Sequence, residues 1–192
     1  RHLDALAPAK YGELFSVLEE IQGRVQALLT ISAATGATPL VLRMSDIDRS
    51  SADTVGSKMA NLGEVCNTIG LRVPPGFAIT DSAFDLLLVD SDLKPEIDSL
   101  IQTADHERPA EIFALSSRLQ QLVVNAPVPV RLAEAVTAAY EELAESVGYR
   151  PAVAMRSSAL GEDSPEASFA GQYRTELNVR PENLLDAYRQ VA

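Results

Sequence analysis

The chain has 192 residues, 46% hydrophobic and 22% charged, enough for one domain with a real core and ordinary for a soluble globular protein. Its formal net charge of −11 argues against a nucleic-acid partner, because such a surface repels a phosphate backbone; an anionic ligand would need a few focused cations. The single cysteine, Cys66, excludes an internal disulfide framework and fits a reducing cytosol, and the two histidines, His2 and His106, give a zinc site or a His-based catalytic dyad little to work with.

No apolar run is long enough to span a bilayer and no signal peptide is visible, so no membrane partner is expected. The chain opens at Arg1 and stops within a helical pattern, which reads as a piece of a longer protein.

Residues 10–30 are amphipathic: Tyr11, Leu14, Phe15, Leu18, Ile21, Val25, Leu28 and Leu29 recur at helical spacing. That apolar face is expected to cover the following domain or a partner subunit, which allows a homodimer. Leu40, Val41 and Leu42 predict a short strand, and the polar residues 45–54 an exposed loop.

Residues 55–70 predict a glycine-led helix with Met59, Leu62, Val65, Cys66 and Ile69 on one face and Gly70 at its C-terminal end. Cys66 on that face reads as an inert core residue, not a nucleophile. Lys58 falls in the first turn. A cation there opposes the helix dipole but suits a bound phosphate; the plain alternative is a solvated lysine.

Val73-Pro74-Pro75-Gly76 reads as a rigid turn into a strand at residues 77–79, with Thr80 or Asp81 capping a helix that carries Phe84, Leu87 and Leu88. Residues 92–148 look helical. One stripe holds Ile112, Leu115, Leu119, Leu122 and Val123, a second Leu132, Val136, Tyr140 and Leu143, with Pro127 and Pro129 between them. Glu141, Glu142 and Glu145 read as a solvated face.

Residues 152–155 read as a buried strand that turns polar at Arg156-Ser157-Ser158. A turn-rich loop with Gly161, Glu162 and Asp163 leads to the small-residue segment Ser168-Phe169-Ala170-Gly171, then to a second strand ending at Val179. Small side chains let backbone N–H groups approach an anion, Ser168 adds a donor, and Arg156 offers a permanently charged fork. The alternative is a surface hairpin with one exposed arginine. Residues 181–191 predict a last helix with Leu184, Leu185 and Tyr188 inward.

Arg156-Ser157-Ser158-Ala159, Glu162-Asp163, Ser168 through Tyr173 and Leu177-Asn178-Val179 resemble the nucleotide-binding domain of phosphoenolpyruvate synthase and pyruvate phosphate dikinase. So do Val55-Gly56-Ser57-Lys58, Ala60-Asn61-Leu62-Gly63 and Val73-Pro74-Pro75-Gly76-Phe77. The resemblance implies an α+β fold: the first part of an ATP-grasp-like domain, helix-rich with a small mixed or antiparallel sheet. Residues 51–192 would be the N-terminal portion of that domain, incomplete at its C-terminus, and residues 1–50 an N-terminal helix and linker.

It also implies that Lys58 and Arg156 bind ATP phosphates, Arg156 as the catalytic cation, under a loop of Ser168, Phe169, Ala170, Gly171 and Gln172. No metal ligand is assigned within the chain; those for Mg²⁺ are expected beyond Ala192. Phosphate would pass to a phosphohistidine carrier domain of the same protein and on to pyruvate, giving phosphoenolpyruvate, in the cytoplasm. The piece by itself would be inactive. Related dikinases phosphorylate an antibiotic or a glucan. Ser57 in place of a usual glycine, Arg174 in place of a usual acid and the long N-terminal helix motivate a third reading, a degenerate non-catalytic interaction module.

Overall fold

A computed structural model describes Ile21 and residues 39–105, 108–158 and 174–192. The chain divides into two compact units, Arg1–Thr38 and Pro39–Ala192, and the description below concerns the second. Apart from Ile21, the amphipathic stretch at residues 10–30 lies outside the described residues.

The apolar run before residue 43 forms strand β1 (Val41–Arg43), which pairs antiparallel with β2 (Phe77–Ile79), Val41 facing Ile79 and Arg43 facing Phe77. Val73-Pro74-Pro75-Gly76 leads into β2 as expected, but as extended chain with no assigned turn or bend.

The polar segment after β1 is not a plain loop. It holds 3-10 turns at Met44–Asp46 and Arg49–Ser51 and the short helix α1 (Ala52–Val55). A capping box builds the second turn: the Asp48 carboxylate accepts from the Ser50 amide at 2.8 Å, and the Ser51 hydroxyl accepts from the Asp48 amide at 3.2 Å. The hydroxyl and amide of Ser50 hold the Asp48 carboxyl below its ordinary range. Ile47, inside this polar stretch, is fully buried.

Helix α2 (Ser57–Asn67) departs from the expected apolar face. Its buried residues are Ala60 and Gly63; Cys66 is half-buried and free, and Ile69 lies past the helix end, exposed. Small residues let the helix backbone approach Ile47 closely. A Cβ at Gly63 would lie 2.4 Å from the Ile47 carbonyl oxygen, and Asn67 Nδ2 donates to the carbonyls of Met44 and Ile47 at 2.7 and 2.8 Å. Gly70 takes a φ of +78°, suiting it to end the helix.

Four further helices follow, α3 (Asp81–Asp90), α4 (Leu93–Thr103), α5 (Pro109–Asn125) and α6 (Val130–Val147), of which α3 and α6 supply buried core residues. Thr80 sits at the N-cap of α3, but its hydroxyl donates to the Pro39 carbonyl at 2.8 Å instead of capping the helix. The second expected stripe is buried in full: Leu132, Val136, Tyr140 and Leu143. The first is not. α5 has no buried residue, and Ile112 and Phe113 are exposed. Glu141 and Glu142 are solvated but paired, with Arg150 and Arg43 respectively.

Strand β3 (Val153–Arg156) pairs antiparallel with β4 (Thr175–Val179), Val153 facing Val179 and Arg156 facing Thr175. β3 is one-sided and not buried throughout: Val153 and Met155 are half-buried while Ala152 and Ala154 are exposed. It belongs to a two-stranded antiparallel ladder among the described residues, with one face toward the core and the other exposed.

A 3-10 turn at Pro181–Asn183 leads into α7 (Leu184–Val191), which buries Leu184, Ala187 and Tyr188. These join Leu87, Leu132, Val136, Tyr140 and Val179 in the main core, with Val153 and Met155 against it. The Tyr140 hydroxyl donates to the Pro151 carbonyl at 2.8 Å and so fixes where β3 begins. The fold is α+β and helix-rich, with two separate two-stranded antiparallel ladders among the described residues.

Two tests follow from the packing. In Gly63→Ala, helix propensity favours alanine by about 1 kcal/mol. The new Cβ collides with Ile47 backbone, and such overpacking costs about 1–3 kcal/mol. The urea midpoint should therefore fall; a raised midpoint would show that α2 does not sit on Ile47.

Tyr188 tests a buried hydroxyl. Its oxygen is buried with no hydrogen-bond partner among the described residues, and burial pushes its ionisation upward. The folded state thus favours neutral phenol. That stability is whole below the ordinary tyrosine value of about 10 and declines as pH rises above it toward the folded value. Tyr188→Phe should leave stability at neutral pH equal or higher by about 1 kcal/mol and flatten the alkaline decline in denaturant midpoints. A loss at neutral pH would mean that the hydroxyl makes a needed contact.

Candidate functional site

The two sequence blocks singled out above meet at one point. Gly56 precedes α2 with φ +78° and ψ 157°, a backbone that side-chain-bearing residues rarely adopt. Its Cα faces Ser158, just beyond the end of β3. A Cβ at Gly56 would lie 2.0 Å from the Ser158 carbonyl oxygen and 2.5 Å from Ser158 Oγ. From the other side, the Met59 amide donates to Ser158 Oγ at 3.4 Å, across a sequence separation of 99 residues. The start of α2 is therefore packed on the end of β3.

Lys58 lies in the first turn of α2, two residues from Gly56, and is exposed. Arg156 ends β3, two residues from Ser158, and is also exposed. Arg156 has no ion pair among the described residues, whereas Arg150 before β3 is tied to Glu141, and Arg174 before β4 is tied to Glu176 at 2.6 Å. Ser157, between Arg156 and the junction, has a buried Oγ without a partner among the described residues. Ser57 is half-buried beside Lys58. Ser168, Phe169, Ala170, Gly171 and Gln172 lie outside the described residues, as do His2 and His106.

Sequence reasoning gave Gly56, Ser157 and Ser158 no individual role. The signal for them was present as a glycine before a helix and paired serines after a strand, but nothing local says that these two touch.

The junction brings together a lysine-bearing helix start, an arginine-bearing strand end, backbone amides and hydroxyls. Permanent positive charge with donors suits a polyanion. Among the described residues it offers no nucleophile with an adjacent base. Among the described residues no cluster of three or more His, Cys, Asp or Glu side chains could hold a metal ion. A cavity of about 220 Å³ lined by Leu93, Arg118, Gln121, Leu122 and Asn125 is not lined by Lys58, Arg156 or Ser158.

Comparison with known proteins adds the family. Residues 52–192 match the family described as pyruvate phosphate dikinase, AMP/ATP-binding domain. A probable phosphoenolpyruvate synthase of Staphylothermus marinus is 36% identical over 146 residues, 74% of this chain and 17% of the relative. Rifampicin phosphotransferase of a Streptomyces species is 39% identical over 140 residues, 73% of this chain and 16% of the relative. Phosphoenolpyruvate synthase of Escherichia coli K12 is 35% identical over 148 residues, 76% of this chain and 19% of the relative. The chain thus spans less than a quarter of the length of each of these three. Both motif blocks, and the Gly56–Ser158 contact that joins them, lie within the matched residues, and the chain belongs to the pyruvate phosphate dikinase AMP/ATP-binding domain family.

Proposed function

We propose that this chain supplies the phosphate-facing portion of the nucleotide site of an ATP-dependent phosphotransferase resembling phosphoenolpyruvate synthase. The observation that carries the reading is the packing of the Lys58 helix start against the Arg156 strand end at Gly56 and Ser158. In this reading Lys58 and Arg156 hold the phosphates of ATP, and Ser168, Phe169, Ala170, Gly171 and Gln172 form the loop over them. The nucleotide-binding portion runs from residue 51 to 192, residues 1–50 being helix and linker; the family match begins at residue 52.

Phosphoryl transfer needs positioning and charge neutralisation more than covalent help from the protein. Arg156 serves as the catalytic cation. A guanidinium can offset negative charge on the transferred group through paired N–H donors. Lys58 orients the phosphate chain from the helix start. Mg²⁺ would neutralise phosphate charge when bound, and the proposal places its ligands beyond Ala192.

In the whole protein, phosphate goes from ATP to a phosphohistidine carrier domain and then to pyruvate. The single free cysteine suits a reducing cytoplasm, and a homodimer remains part of the proposal. The rifampicin phosphotransferase relative favours a second reading in which the same phosphate site serves an antibiotic acceptor.

Titration of Mg-ATP against the full-length protein tests the shared core of both readings. The Lys58→Ala, Arg156→Ala double variant should bind more weakly by roughly 3 kcal/mol or more, at about 1.5–3 for each charged hydrogen bond. Equal affinity in the two proteins would remove these residues from the site and favour a non-catalytic interaction module.

A further inference from the structure

The described residues contain three glycines with left-handed φ: Gly56 at +78°, Gly70 at +78° and Gly148 at +80°. Gly70 and Gly148 have nothing within 4 Å of where a Cβ would stand, so their glycine character serves the backbone turn alone. Gly56 differs. All three nearest atoms to its absent Cβ belong to Ser158, and two of them are backbone, the carbonyl oxygen at 2.0 Å and its carbon at 2.6 Å. A backbone carbonyl cannot rotate away as a side-chain tip can. Real Cβ contacts essentially never fall below 3.0 Å, so any side chain at this position must push the two segments apart by about 1 Å.

We propose that Gly56 is a positioning residue for phosphate binding: the empty side-chain space at Gly56 seats the Ser158 carbonyl and so sets the spacing between the Lys58 helix start and the Arg156 strand end. This rests on the phosphate reading above. A second contact holds the same seat, since Ser158 Oγ accepts the Met59 amide one residue past Lys58. Two cations on different elements grip one ligand only when their separation is fixed, and a displacement of about 1 Å is enough to spoil such a geometry.

The test is a double-mutant cycle on Mg-ATP affinity in the full-length protein, with thermal melts of every variant. Gly56→Ala should weaken ATP binding about tenfold or more, the factor expected from losing one charged hydrogen bond. Gly148→Ala places a methyl at a similar positive φ in open space, in the milder left-handed region (φ 80°, ψ 11°) and not the glycine-only backbone of Gly56 (φ 78°, ψ 157°), and should leave affinity within about twofold. The decisive reading is coupling. Lys58→Ala should cost a large factor in the wild-type background and a much smaller one in Gly56→Ala, because the lysine is already misplaced there.

Wild-type affinity in Gly56→Ala, or an equal Lys58→Ala factor in both backgrounds, overturns the proposal while leaving the phosphate reading intact. A Lys58→Ala variant that binds ATP normally overturns the phosphate reading and this proposal with it. Should Gly56→Ala fail to fold, the same cycle is run with Ser158→Ala, which removes the acceptor of the Met59 amide and keeps every backbone atom. Non-additivity with Lys58→Ala then supports the seat and additivity overturns it.

Discussion

Where two chain segments cross with only a hydrogen between them, no side chain can stand. The crossing of Gly56 and Ser158 is such a place, and the geometry of the candidate site depends on it. With the Met59–Ser158 bond, 99 residues apart in sequence, it ties the first motif block to the second. A crossing of this kind gains little energy in its own right. Its value is in what it permits: the start of α2 and the end of β3 come closer than any side chain at Gly56 would allow.

The rest of the fold keeps that crossing in register. Tyr140, buried on α6, bonds to Pro151 and fixes the beginning of β3. Val153 and Met155 pack against the main core and hold the middle of the strand. On the other side, α2 is pressed onto Ile47 through Ala60 and Gly63 and pinned by Asn67. The strand and the helix thus reach the junction from two hydrophobic clusters.

Much of this was legible in the sequence, and each misreading has its own physical cause. The α6 stripe was readable because a long helix buries one face with large apolar residues, which is what periodicity detects. The α2 face was misread because it packs through Ala60 and Gly63, whose contribution is closeness and not hydrophobic area. Residues 45–54 looked like loop because their order comes from a local capping box around a single buried Ile47. The apolar run at 152–155 looked fully buried, but β3 pairs and packs on one side only among the described residues. In the site, Lys58 and Arg156 were singled out by chemistry and resemblance. Gly56 and Ser158 received no role because a contact between distant segments leaves no mark on either segment's own pattern.

Electrostatics supply the last link. On a chain of net charge −11, a cation answered by its own carboxylate adds little to the field that an anionic ligand meets. Arg43, Arg118, Arg150, Arg174 and Arg189 are each answered in this way. Two of them, Arg150 and Arg174, flank the β3–β4 ladder, so the pairing extends to the very element that carries Arg156. Arg156 stands at the end of that ladder without such a partner among the described residues, next to a buried serine hydroxyl that also lacks one. Among the described residues, then, the neighbouring arginines of this ladder are neutralised and the one at the strand end is not. That is the same strand end against which the glycine crossing holds a lysine-bearing helix.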